Sequence, residues 1–357
     1  MKKKLLLFTQ KMDRNDDLLG IYHEWVRFLS EYFSSIEVVC LVEGEHNLPK
    51  HVRVHSLGKD QGKGRLTYIW RFFCSIISLR KKYDVVFVHM NPEYVILGGL
   101  LWKLLKKPIY MWYAHSAYNI RFFLANILIT GAVTSVKSAY PCVNSKTHII
   151  GQGIDIHKFS PGEKNEGKVV KILSLGRISP IKHIDVLLAA MKKLRSKGKT
   201  VTLTIVGAPG DSDASYYEEQ VSFVKEHNLS DVVTFTGKIP NVDTPAIYRA
   251  HDMFVSLTEI GSFDKTTLEA MASEVPIVVT NEAFKYILPE PYKTATMFKN
   301  TDVDSLVRAI TYVMDMNESE KTIYSKLLRT IIKKEHNILQ LAKRLSEVLH
   351  GKDTYKK

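Results

Sequence analysis

The sequence is short of cysteine, of acidic residues and of unbroken apolar runs. Its three cysteines, Cys40, Cys74 and Cys142, are far apart and show no metal-ligand spacing. An odd, sparse set of this kind fits a reducing cytosol rather than a disulfide scaffold. The longest apolar run, YVILGGLLWKLL, is interrupted by Lys103 and is too short to span a bilayer. In the opening MKKKLLLFTQKMD the apolar stretch stops too early for a signal peptide. The expectation is therefore a soluble, cytoplasmic protein. No nucleic-acid-binding motif is present and no repeat of short period, so nucleic acid is not expected as a partner.

What is present is the composition of a globular chain. Of the 357 residues, 45% are apolar and 24% charged, and a chain of this length predicts about two domains. The formal charge is +13, which leaves an anionic membrane surface or anionic small substrates as partners. GRLTYIWRFFCSIISLRKKY, from Gly64 to Tyr83, is aromatic, apolar and flanked by basic residues. It would suit peripheral contact with an anionic membrane; the plainer reading is a core helix with solvated basic ends.

Strand-like and helix-like runs alternate along the whole chain. KLLLFTQ, SIEVVCLV, DVVFVHM and PIYMWYAH read as strands, separated by LLGIYHEWVRFLSEYF, LTYIWRFFCSIISLRKKY and YVILGGLLWKLLKK with helical spacing. After Pro161 and the polar stretch PGEKNEGK the pattern restarts with KVVKILSLG, VTLTIVG, VVTFTG, DMFVSLT and PIVVT, again with helical segments between. β-Branched apolar runs joined by amphipathic helices indicate parallel β-α-β units whose sheets are covered on both faces. The expectation is two doubly wound α/β domains, residues 1–160 and 161–334, with a final helix in 335–357 packing back on the first. Ligands of such sheets bind beyond the carboxyl ends of the strands, so the residues that follow strands are the candidates.

Six stretches qualify. In SLGRISPIK, Arg177 and Lys182 follow a strand end, and two cations beside free backbone amides make an anion site. In TEIGSFDKTTLEAM, Gly261, Ser262, Phe263, Asp264 and Lys265 precede a helix predicted from Thr266 to Ser273, with Glu269 in its first turn. Free amides and the positive dipole end favour an anion there, and Glu269 could accept hydrogen bonds from sugar hydroxyls. Phe263 reads as a packing residue. His115 is read as ending a strand of the first domain, where it could bond a phosphate or hydroxyl; Arg121 is a weaker candidate. Gly207 opens the Gly-Ala-Pro-Gly loop after another strand, and Gly237, Lys238 and Ile239 follow a third. In DRNDDLLG, Gly20 allows close approach of a ligand, while Asp13, Asp16 and Asp17 read as capping or surface residues rather than metal ligands.

IIGQGIDIHKF, LSLGRISPIKHIDVLLAAM, TIVGAPG, VTFTGKIP and LEAMASEVPIVVT, in that order and spacing, resemble retaining GT-B glycosyltransferases of family 4, the group 1 glycosyltransferases. KMDRNDDLLGIYHEW and VHMNPEYVILGGLLWKLLKKPIYMWYAH resemble them more loosely. The resemblance implies a GT-B fold, two Rossmann-like domains facing across a cleft, and transfer of a sugar from a nucleotide-diphosphate sugar to a glycan or lipid-linked acceptor. It implies no cofactor, since two cations can stand in for a metal ion at the leaving diphosphate. Arg177 and Lys182 would hold that diphosphate and Glu269 the ribose. Lys238 and Ile239 would frame the base, and Gly207 would line the same pocket. Gly20 would approach the donor phosphate and His115 the transferred sugar. The sequence departs from the pattern in one place: Gly261 stands where the family carries a sugar-contacting glutamate, and Glu259, Asp264 or Lys265 is left to take over that contact. A nucleotide-sugar binder without transferase activity, or an epimerase or phosphorylase on the same fold, is the alternative.

Overall fold

The computed structural model describes residues 2–16, 19–162, 167–258, 261–299, 302–352 and 355. The chain forms two compact units, one made of Met1–Gly153 with Ile338–Lys357 and the other of Ile154–Asn337.

The first unit is built on a seven-stranded sheet. Its strands are β1 (Lys4–Met12), β2 (Ser35–Glu43), β3 (Val52–Ser56), β4 (Val85–His89), β5 (Ile109–Trp112), β6 (Gly131–Thr134) and β7 (Thr147–Ile149), in the spatial order β3-β2-β1-β4-β5-β6-β7. Every pairing among them is parallel. Because strand side chains alternate between faces, the LLLF run of β1 feeds two cores at once. Leu5 and Leu7 pack with Trp25 and Val26 of α1 (Gly20–Leu29) and with Leu341 and Leu345 of the helix Ile338–Leu349. Leu6 and Phe8 pack on the opposite face with Phe72 of α2 (Arg65–Ser78), Trp102 of α3 (Pro92–Leu104) and Phe122 of α4 (Ile120–Leu128). Helix starts follow local chemistry: Pro92 opens α3, and the Asn119 side chain accepts from the Phe122 amide at 2.9 Å to cap α4. The strand β5 ends at Trp112, so His115 lies in the loop three residues beyond it rather than at the strand end.

The second unit carries β8 (Val170–Leu175), α5 (Ile184–Ser196), β9 (Val201–Val206), α6 (Ala214–Glu226), β10 (Val233–Gly237), α7 (Thr244–Arg249), β11 (Met253–Ser256), α8 (Lys265–Ala272) and β12 (Ile277–Val279). Its five strands are parallel and lie in the order β10-β9-β8-β11-β12. Further helices of this unit are Tyr292–Thr296, Val303–Asp315 and Glu318–Ile331. The last is opened by a capping box in which Asn317 and Glu320 satisfy each other's amides. The segment just before Pro161 belongs with this unit. The Arg329 guanidinium donates to the carbonyls of Ile156 at 3.1 Å and Phe159 at 2.9 Å, and the Ile154 amide donates to the His336 carbonyl at 2.7 Å. Among the described residues no helix is long and apolar enough to cross a membrane.

Candidate functional site

The strand order of the second unit reverses at β8. From β8 the chain steps outward to β9 and β10, and then returns to the other side of β8 for β11 and β12. The crevice beyond the carboxyl ends of β8 and β11 is the position at which open α/β sheets bind ligands. The sequence provides for it on the β8 side with glycine. Gly176 and Gly207, directly after β8 and β9, and Gly237, which ends β10, all have positive φ (+150°, +144° and +74°). The Gly176 amide donates to the Val206 carbonyl and the Gly207 amide to the Gly237 carbonyl, both at 2.9 Å. A Cβ on Gly207 would stand 1.9 Å from the Gly176 carbonyl oxygen, so no side chain fits there.

Two cations stand at this edge. Lys182 ends a short 3-10 turn, Pro180–Lys182, which leads through His183 into α5. Its Nζ donates to Thr258 Oγ1 at 2.7 Å and thereby links the β8 side of the crevice to the segment after β11. It also lies close to Gly176, 3.7 Å from where a Cβ of that residue would be. Arg177 is exposed, and its side chain runs beside Gly210 of the loop after β9. Among the described residues it makes no ion pair.

The acidic groups are held more tightly than the cations. Asp264, at the residue before α8, has its Oδ2 occupied by the Ser256 hydroxyl at 2.5 Å and the Thr267 hydroxyl at 3.1 Å. Its Oδ1 accepts from the Thr266 hydroxyl at 3.0 Å and faces Lys182 Nζ at 3.9 Å. Its carbonyl closes the first helical bond, accepting from the Leu268 amide at 3.2 Å. Asp264 thus orients Lys182 and starts a helix, which leaves Asp264 little capacity to bind anything else. Glu269 is 2% exposed. Because α8 starts at Lys265, one residue earlier than the sequence suggests, Glu269 falls in the second turn rather than the first. Its Oε2 accepts from the Tyr248 hydroxyl at 3.0 Å. Its Oε1 lies 3.3 Å from Lys265 Nζ in an ion pair without hydrogen-bond geometry. Burial, reinforced by the Glu269 carboxylate, pushes the Tyr248 hydroxyl well above its ordinary pKa, so Tyr248 stays protonated and remains a donor.

The rest of the loop is mainly structural. Gly261 has φ +102° and is buried. The Ser262 carbonyl accepts from Asn281 Nδ2 at 3.0 Å. Phe263 is buried, with its ring centroid 5.4 Å from that of Phe284 and 4.6 Å from that of His336, the packing role its type suggests. Lys238 is exposed and Ile239 half-buried, directly after Gly237. Glu259 lies outside the described residues.

The structure therefore brings Arg177, Lys182, Gly207 and Asp264 together around one crevice, with Glu269 and Lys265 paired on the adjoining helix. His115 and Gly20 belong to the other unit. His115 is exposed, and its Nδ1 accepts from the Ala117 amide at 2.9 Å, which leaves Nε2 to carry the proton of the neutral ring. Arg121 is paired with Glu93 at 3.0 Å. Gly20 opens α1 where a Cβ would meet the Arg14 carbonyl oxygen at 2.8 Å, a close approach of the chain to itself. Asp13 and Asp16 both pair with Lys11, at 3.2 and 2.7 Å, and Asp16 also accepts from the Leu19 amide at 2.7 Å; Asp17 lies outside the described residues. Sequence reasoning missed Ser256, Thr258 and Tyr248. The two hydroxyls had a signal, since they follow an apolar run at a strand end. Tyr248 had none, because its meeting with Glu269 joins helices 21 positions apart.

Residues 155–327 match the model of the family described as glycosyl transferases group 1. Over 291 residues the chain is 23% identical to the alpha-monoglucosyldiacylglycerol synthase of Streptococcus pneumoniae, covering 70% of this chain and 65% of that one. It is 33% identical over 147 residues to the mannosylfructose-phosphate synthase of Agrobacterium fabrum, covering 37% of this chain and 32% of the other. The chain thus spans just under two thirds of the first relative and about a third of the second. Among solved structures, Anabaena Alr3699/HepE in complex with UDP-glucose superposes with a TM-score of 0.74 at 15% identity, over 98% of this chain and 99% of that one. WaaG, a glycosyltransferase involved in lipopolysaccharide biosynthesis, superposes with a TM-score of 0.66 at 12% identity, over 97% and 100%. The fold is GT-B: two Rossmann-like units with parallel sheets of seven and five strands.

Proposed function

We propose that the protein transfers a sugar from a nucleotide-diphosphate donor to an acceptor hydroxyl, with retention of anomeric configuration and without a metal ion. The observation that carries this reading is the Lys182 ammonium across the switch point of the second unit, held by Thr258 and faced by Asp264, with exposed Arg177 beside it. Breaking the anomeric bond places charge on the departing diphosphate. Lys182 and Arg177 supply fixed positive charge where that anion would form, which lowers the barrier to the extent that they hold the leaving group more strongly than the intact donor. Asp264 is a positioning residue that holds Lys182 through charge. Glu269, held by Lys265 and Tyr248, offers Oε1 to a ribose hydroxyl. Lys238 and Ile239 frame the base. Gly20 is assigned to the donor phosphate and His115 to the reacting sugar on the strength of the family resemblance. The structural neighbour that binds UDP-glucose makes a uridine diphosphate sugar the first donor to test.

The test is a thermal-shift screen of nucleotide sugars, followed by product analysis with the stabilising donor. A bound donor raises the melting point by mass action, by roughly 2.7 kcal/mol of stability at a hundred times its Kd. Stabilisation by one nucleotide sugar with glycoside formed on an added acceptor supports the reading. No stabilisation by any nucleotide or nucleotide sugar overturns it, and stabilisation with no transfer to any acceptor reduces the protein to a binder.

A further inference from the structure

Helices α2, α3 and α4 lie as one layer on a single face of the first sheet, with Phe72, Trp102 and Phe122 directed into the core. Their opposite faces are apolar too. On α2 the exposed side chains are Leu66 at 83%, Trp70 at 66% and Ile77 at 50%, one stripe of helical period. On α3 they are Leu97, Leu100 and Leu104, the last 79% exposed, and on α4 they are Ile120, Phe123, Leu124 and Ile127. The three stripes are neighbours. The Phe72 ring packs against Trp102 and Tyr94 at centroid distances of 5.9 and 5.8 Å, joining α2 to α3. A Cβ on Gly99 would stand 2.9 Å from Leu128, so α3 and α4 also touch closely. Single exposed apolar residues are ordinary on a soluble protein, but a face shared by three adjoining helices marks a contact surface.

The charge around the face selects the partner. Between Gly62 and Tyr83 there is no acidic residue, while Lys63 and Arg65 precede the α2 stripe and Arg80, Lys81 and Lys82 follow it. Lys103, Lys106 and Lys107 stand at the same end of α3. The Lys107 ammonium donates to the Tyr83 carbonyl, which brings the two basic clusters side by side. The one acid at the start of α3, Glu93, is already paired with Arg121. We infer that this face docks on an anionic lipid surface, with the leucines, isoleucines and Trp70 entering the acyl boundary and the basic ends of α2 and α3 meeting the headgroups. A second copy of the chain fits the face less well. A two-fold contact would present the face only with itself, and the face brings cations with almost no acid to match them. This inference does not rest on sugar transfer, and its test is independent of any donor.

The test is co-sedimentation of the full chain with phosphatidylcholine vesicles, with and without phosphatidylglycerol, at low and high salt. Trp70 provides a second readout, because the other tryptophans, Trp25, Trp102 and Trp112, are buried; its emission should shift to the blue and be quenched by brominated acyl chains. The wild-type chain should prefer the anionic vesicles at least tenfold at low salt and lose most of that preference at high salt. Leu66→Ser with Ile77→Ser should weaken binding to both vesicles at least tenfold without changing the melting point, since both side chains are solvent-exposed. Arg80→Gln, Lys81→Gln and Lys82→Gln together should remove only the anionic preference, roughly fivefold per cation. The inference fails if the wild-type chain does not bind anionic vesicles, if binding proceeds without a change at Trp70, or if the double serine variant binds as well as wild type. It fails also if sedimentation equilibrium without lipid shows self-association that the double serine variant abolishes, which would make a second copy the occupant.

Discussion

The two sheets have the same kind of topological switch point and fill it in opposite ways. In the second unit the crevice between β8 and β11 is edged by glycines, two cations and the hydroxyls of Ser256 and Thr258. In the first unit the switch falls between β1 and β4, where Thr9 lies within β1 and His89 and Trp112 end β4 and β5. Tyr22 and Trp25 close over them, with the Tyr22 ring 3.7 Å from that of His89 and Trp25 4.8 Å from Trp112. What remains is a cavity of about 20 Å³, room for no more than a single water. Among the described residues, Thr9 Oγ1, Trp25 Nε1 and His89 Nε2 have no hydrogen-bond partner. Burial drives the His89 imidazole down to about 3, so the ring is neutral at physiological pH. One fold thus supplies two equivalent crevices. The choice between aromatic side chains and glycine at the strand ends decides which of them is left lined by glycine and charge.

The largest expected effect tests the polar crevice. Arg177→Ala or Lys182→Ala should lower turnover by roughly two to three orders of magnitude, the cost of removing one group that stabilises developing charge, about 3–4 kcal/mol. Steady-state kinetics with the donor found by thermal shift would measure it, and near-normal turnover in both variants would erase the functional contrast between the crevices. Next come the glycines. Gly207→Ala should destabilise the second unit by about 3 kcal/mol, because its Cβ collides with the Gly176 carbonyl and its φ of +144° disfavours a side chain. Gly237→Ala meets nothing within 4 Å and should cost only about 1 kcal/mol of backbone strain. Equal losses in urea titrations of the two variants would show that the glycine edge is not close-packed. An effect smaller than that of Gly207→Ala belongs to the aromatic crevice. Between pH 6.5 and 3 the unfolded chain binds a proton at His89 that the folded chain does not, so stability falls as the pH is lowered through that window. From pH 6.5 to 5 the loss should reach roughly 2 kcal/mol. Glu24, held at about 2 chiefly by its hydrogen bond to His23, adds acid sensitivity only below its ordinary range. All four tryptophans lie in the first unit, so their fluorescence follows its unfolding. A His89→Leu variant with the same slope between pH 6.5 and 5 would rule out the buried imidazole.

The sequence by itself determined the alternation of strands and helices, because period-two and period-3.6 patterns are local consequences of which face each side chain points to. It also determined the glycines at three strand ends and the pair Arg177 and Lys182 after β8, since positive φ and fixed charge are written into single residue types. The short strands β3, β6 and β7 and the helix α4 were not legible, as their runs are too brief to show a period. The tertiary structure alone decided which groups were already occupied. Asp264 looked like a candidate sugar contact until Ser256, Thr266, Thr267 and Lys182 were seen around its carboxylate. Glu269 became a buried partner of Tyr248 for the same reason. It also resolved Gly64–Tyr83, where periodicity cannot say whether an apolar face is covered. Phe72 and Ile76 are in the core, whereas Leu66, Trp70 and Ile77 are left in solvent. A pattern reports where a side chain points along its own element; what meets it there is set by chain segments far away in sequence.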